Sequence, residues 1–188
     1  MVVERLRNVV AKVVDLVLPP RCAICGAEGA FLCGNCAGRL EKLIEPPVTI
    51  SQTTGSTLEI RSLWAMEDSP SHLIHQFKYG GFKALARPLG AELAQLVCRM
   101  SVLPDLVTYV PLHRSKTRRR GYDQSKLLAE AIADDLEVPS TTALTRTRSG
   151  RSQVETRDRT ERIRNVAGVF EASAPSTIAG KKALLVDD

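Results

Sequence analysis

Four of the chain's five cysteines, Cys22, Cys25, Cys33 and Cys36, fall within fifteen positions as two CxxC pairs, CAIC and CGNC, seven residues apart. No other feature restricts the fold as much. A disulfide framework spreads its cysteines through a secreted chain, whereas paired thiols on tight turns converge on one ion. Thiolates are soft ligands that reach a metal at about 2.3 Å, and two pairs complete a tetrahedron. Four cysteine ligands close the ion off from water, which predicts a structural rather than a catalytic zinc. Gly26 and Gly34 allow the tight backbone such turns need. The competing chemistries fit less well: iron–sulfur clusters favour other cysteine spacings, and a redox dithiol needs only one CxxC. The fifth cysteine, Cys98, has neither a second cysteine nor a base close in sequence and is expected to be a small buried hydrophobe.

The 188 residues are long enough for one core and a small appended module. Apolar residues at helical spacing predict a helix over 3–17, stopped by Pro19 and Pro20. It has few basic residues and no bulky aromatics, so it is expected to pack on the protein's own body rather than on a membrane surface. A short helix is predicted over 38–44, a turn at SQTTGST, a strand over 58–66, and a helix from Ser69 or Ser71 to the Gly80-Gly81 break. The longest helical pattern covers 82–100, with Leu85, Leu89, Leu93 and Leu96 on one face. A buried strand is expected over 106–112, then a basic loop HRSKTRRRGYDQ, then a helix over 124–136. A second basic stretch, 146–164, is read as a mobile loop followed by a helix over 155–164. Strands over 168–171 and 183–186 follow, and the second leads into Asp187-Asp188. Strands separated by helices predict an α/β class with a parallel sheet.

Charge narrows the partners. The net charge is +5, and residues 113–164 hold thirteen Lys and Arg against eight Asp and Glu, while the rest of the chain balances. The whole excess therefore sits in one segment, which favours an anionic partner over an evenly solvated surface. Read on its own, the loop after the expected strand suits a diphosphate, because arginine forks bind phosphate bidentately and Gly121 permits a tight turn. The alternatives for this loop are a nucleic-acid-facing surface and a merely solvated one. The first stretch lacks an uninterrupted apolar region and a small-residue cleavage site, and no apolar run approaches the roughly 18 to 20 residues that cross a bilayer. A soluble, cytoplasmic protein without a transmembrane segment is expected.

The ordered set VPLH, RRRGYDQ, Gln153, ERIRNVAGVF and KALLVDD, with HQFKYGG and the cysteine ribbon before it, resembles the ComF family of competence-associated, phosphoribosyltransferase-like proteins. The resemblance runs from Leu18 to Asp188. It implies a type I phosphoribosyltransferase-like parallel sheet in residues 58–188, appended to an N-terminal helix and zinc ribbon in residues 1–46. It further implies binding of 5-phosphoribosyl-1-pyrophosphate with Mg2+. Asp187 and Asp188 would approach the ribose hydroxyls directly or through the metal, and Arg114, Lys116, Arg118 and Arg119 would meet the diphosphate. In that family a Thr/Gly-rich loop follows the acidic pair and cradles the 5-phosphate. These 188 residues do not include it, so the sheet is expected to be incomplete at the C-terminus, phosphoribosyl-pyrophosphate binding weak and transferase activity lacking.

Two functions of different class follow. The first is a ComF-type phosphoribosyl-pyrophosphate-binding protein serving competence and DNA uptake, with DNA-uptake machinery as a partner and with phosphoribosyl transfer an open question of the family, not expected of these 188 residues. The second is a zinc-ribbon module that binds single-stranded nucleic acid, with the transferase-like domain as scaffold. The basic segment offers a single-stranded partner only Tyr122 for stacking, so charge would carry most of that affinity. A docking-only role for the ribbon and first helix is a third reading.

Overall fold

The computed structural model describes residues 19–43, 48–51, 57–100, 102–148, 168–173 and 175–188. The chain divides into two compact units, residues 1–76 and 77–188. The helix expected over 3–17, most of the Ser/Thr-rich turn, Gln153 and the helix expected over 155–164 lie outside the described residues. Among the described residues, no helix is long and apolar enough to cross a membrane.

In the first unit the chain doubles back at the first cysteine pair. Cys22 N–H donates to Ala27 O and Gly26 N–H to Cys22 O, each at 2.8 Å, while Arg21 and Glu28 bridge across the turn. Gly26 adopts φ +74°, a conformation that a Cβ would strain. The second pair is built differently. Cys33 directly precedes α1 (Gly34–Arg39) and Cys36 lies inside it. The helix expected over 38–44 therefore starts four residues earlier, and it ends where Leu40 turns extended. Gly34 opens a helix rather than a turn.

Two strands follow, β1 (Val48–Ser51) and β2 (Thr57–Ile60), paired antiparallel with Val48 opposite Ile60. The strand expected over 58–66 is shorter, its described pairing with β1 ending at Ile60, although Leu63 O accepts from Leu43 N–H at 3.0 Å. Trp64 forms a bridge opposite Lys42. Next comes α2 (Asp68–Tyr79), with an acidic first turn and a basic last turn that complement its dipole. His72 Nε2 lies 3.1 Å from Ala23 O and ties the first half of α2 to the first cysteine turn. The division between the units falls inside this helix, between Gln76 and Phe77.

The second unit opens with a left-handed Gly81 and a 3-10 turn, Lys83–Leu85, that leads into α3 (Ala86–Val97). The continuous helix expected over 82–100 is thus split at its start. Its buried face also differs, being formed by Ala86, Leu89, Gly90, Ala94 and Val97, with Leu93 and Leu96 half-buried. Small residues are favoured there because α3 packs closely on α5 (Gln124–Leu136). Cys98 follows the last turn of α3 and is exposed, contrary to the expected buried position.

The core of this unit is β3 (Leu106–Tyr109), buried along its whole length and covered by α5. It pairs in parallel with β6 (Ala183–Val186), Leu106 opposite Ala183 and Tyr109 opposite Val186. On its other side Val107 forms a parallel bridge to Ser140. The strand expected over 106–112 ends at Tyr109, although Val110 N–H still donates to Val186 O at 2.9 Å. Pro111 then has no N–H to continue the ladder. An antiparallel pair, β4 (Leu144–Arg146) and β5 (Phe170–Ala172), and a single turn of α6 (Pro175–Ile178) complete the unit. The strand expected over 168–171 is shifted to β5, in register with β4, which had not been expected. The helix over 124–136 and the strand over 183–186 lie as expected. The result is a mixed α/β unit with a small parallel sheet, which follows the four-cysteine ribbon in the chain.

The largest departure is the basic segment expected as a loop, which is a helix, α4 (Arg114–Arg120). His113 caps it, its side chain accepting from Ser115 N–H, and Gly121 closes it at φ +79°. Arg and Lys are good helix formers, so cap, composition and terminal glycine all agree.

The close contact of α3 and α5 depends on Gly90, where a Cβ would lie 2.5 Å from Ala131 Cβ. Gly90→Val is expected to destabilise the second unit by about 1–3 kcal/mol through overpacking. Urea denaturation followed by circular dichroism checks this against Gln95→Ala on the exposed face, whose midpoint should barely move.

Candidate metal centre and anion site

The two cysteine pairs converge. One sulfur from each of Cys22, Cys25, Cys33 and Cys36 lies within 4.8 Å of every other. The Cys25 and Cys33 sulfurs are 3.7 Å apart. A tetrahedral ion with bonds of about 2.3 Å requires edges of about 3.8 Å, so the cluster already has the size of a zinc site. Cys22 and Cys36 are buried, Cys33 is half-buried and Cys25 is exposed, so the ion would be reached from the Cys25 side.

The thiols do not share one tendency to ionise. Burial opposes ionisation of Cys22, but backbone N–H groups of Cys33, Cys25 and Ile24 donate to its sulfur and bring it down to about 6. Hydrogen bonding to Cys25, followed by burial and the other thiols, pushes Cys36 up to about 12. Four thiolates at this separation repel one another, and a central divalent cation removes the conflict.

The second cluster lies in the larger unit, at the carboxyl ends of neighbouring parallel strands, where α/β sheets collect ligands. Asp187 and Asp188 follow β6 directly. Ser125 Oγ, in the first turn of α5, donates to Asp187 Oδ1 at 3.3 Å. Lys78 Nζ lies 3.3 Å from Asp188 Oδ2, a pair in which the carboxylate is 8% and the lysine 24% exposed. Desolvation, reinforced by the charge of Asp188, raises the Asp187 carboxyl above its ordinary value; Ser125 and Lys78 offset part of this.

After β3, α4 delivers the cations with two distinct faces. Arg114, Arg118 and Arg119 are exposed, whereas Lys116 and Arg120 are half-buried. Burial lowers the Lys116 pKa, and the guanidinium groups of Arg146 and Arg120 lower it further. The four predicted diphosphate residues are therefore on one helix, but Lys116 faces a different environment from the other three. Among the described residues, no hydrogen bond or ion pair joins them to Asp187 or Asp188.

Four further residues organise this region and carried no expectation from the sequence. Asp123 accepts from Leu112 N–H at 2.8 Å and from Lys126 N–H at 3.2 Å, fixing the exit of β3 to the start of α5. An Asp just before an apolar helical pattern is a cap signal that could have identified it. Ser125 and Lys78 bond the acidic pair, and Tyr79 holds Arg120. Lys78 and Tyr79 lie in the HQFKYGG motif, but nothing local gives any of the three its role, since their partners are 41 or more residues away.

A family model of the double zinc ribbon domain matches residues 13–49. That segment contains four cysteines, the complement of one tetrahedral site. The DNA utilization protein YhgH of Salmonella typhimurium is 30% identical over 182 residues, covering 91% of this chain and 70% of that protein. The chain belongs to the ComF family. YhgH of Escherichia coli K12 is 29% identical over 180 residues, covering 93% of this chain and 72% of its own. Competence protein F of Haemophilus influenzae is 26% identical over 181 residues, with 90% and 72% covered. No solved structure matches.

Two outcomes are expected of this ComF chain. Purified protein should carry one zinc per chain by elemental analysis, reduced by at least half in Cys22→Ser and in Cys36→Ser, and chelation should loosen the ribbon before the larger unit. Stability should also respond to Asp187. Its folded pKa lies above the ordinary 3.8, so the folded state binds more protons than the unfolded state between those two values, and stability falls as pH rises through that window. Asp187→Asn should raise the melting temperature at neutral pH in magnesium-free buffer, with the gain vanishing below the ordinary value.

Proposed function

We propose that this ComF-family chain binds 5-phosphoribosyl-1-pyrophosphate with Mg2+ at the strand-end site of a type I phosphoribosyltransferase-like domain, in the service of DNA utilization. The carrying observation is the juxtaposition made by the parallel pair β3 and β6. One strand ends in two carboxylates and its neighbour leads into a helix with five cations. Vicinal ribose hydroxyls donate to carboxylates, and a diphosphate suits guanidinium and ammonium donors. Mg2+ is bound through one or two carboxylates together with substrate phosphates, so Asp187 and Asp188 are the residues that would hold it. The zinc ribbon, closed by four thiolates, acts as a structural module rather than a reaction centre.

The relatives' names, DNA utilization protein and Competence protein F, support a role in handling imported DNA. A second reading, contact with single-stranded DNA, is favoured by the outward face of α4, where Arg114, Arg118 and Arg119 are all exposed.

Isothermal titration with phosphoribosyl pyrophosphate, with and without Mg2+, tests the main reading. Mg2+-dependent binding is expected, weakened by about tenfold or more in Asp187→Asn/Asp188→Asn, because charge-assisted hydrogen bonds are lost. Absent binding, or equal binding by both proteins, would sink it.

A further inference from the structure

Helix α2 ends in three consecutive residues that each grip a different part of the strand-end region. Phe77 O accepts from the hydroxyl of Tyr122, Lys78 pairs with Asp188, and Tyr79 engages Arg120. The last contact is double. Arg120 Nη2 donates to Tyr79 Oη at 2.9 Å, and the guanidinium carbon stands 4.5 Å from the centre of the Tyr79 ring. The guanidinium is thereby held in plane and position by a cation–π contact and a hydrogen bond together.

What remains of that guanidinium is unsatisfied. Arg120 Nε and Nη1 are out of contact with solvent and have no hydrogen-bond acceptor among the described residues. Buried donors without a partner are rare in folded proteins, and a buried charge normally has a counter-ion. The surroundings supply more positive charge instead. Lys116 lies on the same half-buried side of α4, and Arg146 is brought close by β4, where its guanidinium packs over Phe170 at 5.3 Å.

We infer that Arg120 is the principal anion-binding side chain of α4, with Lys116 one turn away on the same face, and that Tyr79 is the residue that positions it. The anion is a compact one with several oxygen acceptors, such as a diphosphate. A polymer backbone would meet the outward face of α4, where Arg114, Arg118 and Arg119 are exposed, rather than donors removed from solvent. This deepens the phosphoribosyl-pyrophosphate reading by assigning the diphosphate end to one oriented guanidinium and by dividing the helix into an inner face for the small ligand and an outer face for DNA.

Titration of the full chain with inorganic pyrophosphate, without Mg2+, isolates this site from the acidic pair. Binding by the unaltered protein is expected. Arg120→Gln should weaken it by about tenfold or more, and Arg120→Lys should not rescue it, because lysine lacks the planar fork. Tyr79→Phe keeps the ring and removes only the hydroxyl, and it should weaken binding about threefold to tenfold with an unchanged circular dichroism spectrum. The triple variant Arg114→Gln/Arg118→Gln/Arg119→Gln should weaken pyrophosphate binding less than Arg120→Gln does, since exposed charges are screened, while losing affinity and salt dependence for single-stranded DNA. Absence of pyrophosphate binding in the unaltered protein overturns the inference, as does unchanged affinity in Arg120→Gln. Unchanged affinity in Tyr79→Phe removes Tyr79 from it, and serves as the deciding measurement if Arg120→Gln fails to fold. Failure here is separable from failure of the main reading, because phosphoribosyl pyrophosphate can still bind in an Asp187- and Asp188-dependent way.

Discussion

The parallel register of β3 and β6 is the constraint on which the larger unit's chemistry depends. Tyr109 stands opposite Val186, so Val110 and Asp187 leave the sheet at one level. A slip of one residue would turn every side chain of β6 to the other face, carrying the acidic pair away from its present partners. The register is fixed at both ends. Asp105 N–H donates to Lys182 O and the Asp105 carboxylate accepts from Lys182 N–H, each at 2.8 Å, before the ladder begins. Past its end, Val110 N–H donates to Val186 O. Strands 77 positions apart are thus locked by a side chain at the entry and a main-chain bond at the exit.

The ribbon solves an opposite problem with the same economy of residues. Too short to bury a core, it brings four thiols to within bonding reach of one ion, and hydrogen bonds aimed at Cys22 already favour one thiolate. Metal binding then becomes folding energy, since the crowded sulfurs repel without a cation and attract through one. This is the usual means by which so small a module becomes stable.

Much of this was legible in the sequence, and what was not has physical causes. The cysteine pairs declare themselves because ligand spacing is local. Helix 124–136 and strand 183–186 were readable from apolar period and length. The basic segment 114–120 contains no apolar residue to set a helical period, and its helix signals lie only at its ends, the His113 cap and Gly121. The split of the helix expected over 82–100, and its small-residue face, reflect packing against α5, which no local pattern reveals. Tyr79, Lys78 and Ser125 were invisible for the same reason. Their roles exist only once the fold brings distant residues together.

Four groups left uncomfortable by folding gather in one part of the larger unit. Asp187 carries a carboxyl raised by desolvation and a neighbouring charge, and Lys116 carries an ammonium lowered by burial and neighbouring guanidinium groups. Arg120 has buried donors without acceptors, and so does the amide oxygen of Gln124, 2% exposed at the start of α5, lack a donor among the described residues. All four belong to segments that follow the carboxyl ends of β3 and β6. A sequence selected only for stability would have replaced such groups or paired them with one another. Carboxylates and guanidinium groups instead stand at the ends of adjacent strands without neutralising each other. Perturbed groups gathered at the carboxyl ends of adjacent strands are the pattern expected of a ligand site, which is why this region supports the proposed reading rather than a surface of salt bridges.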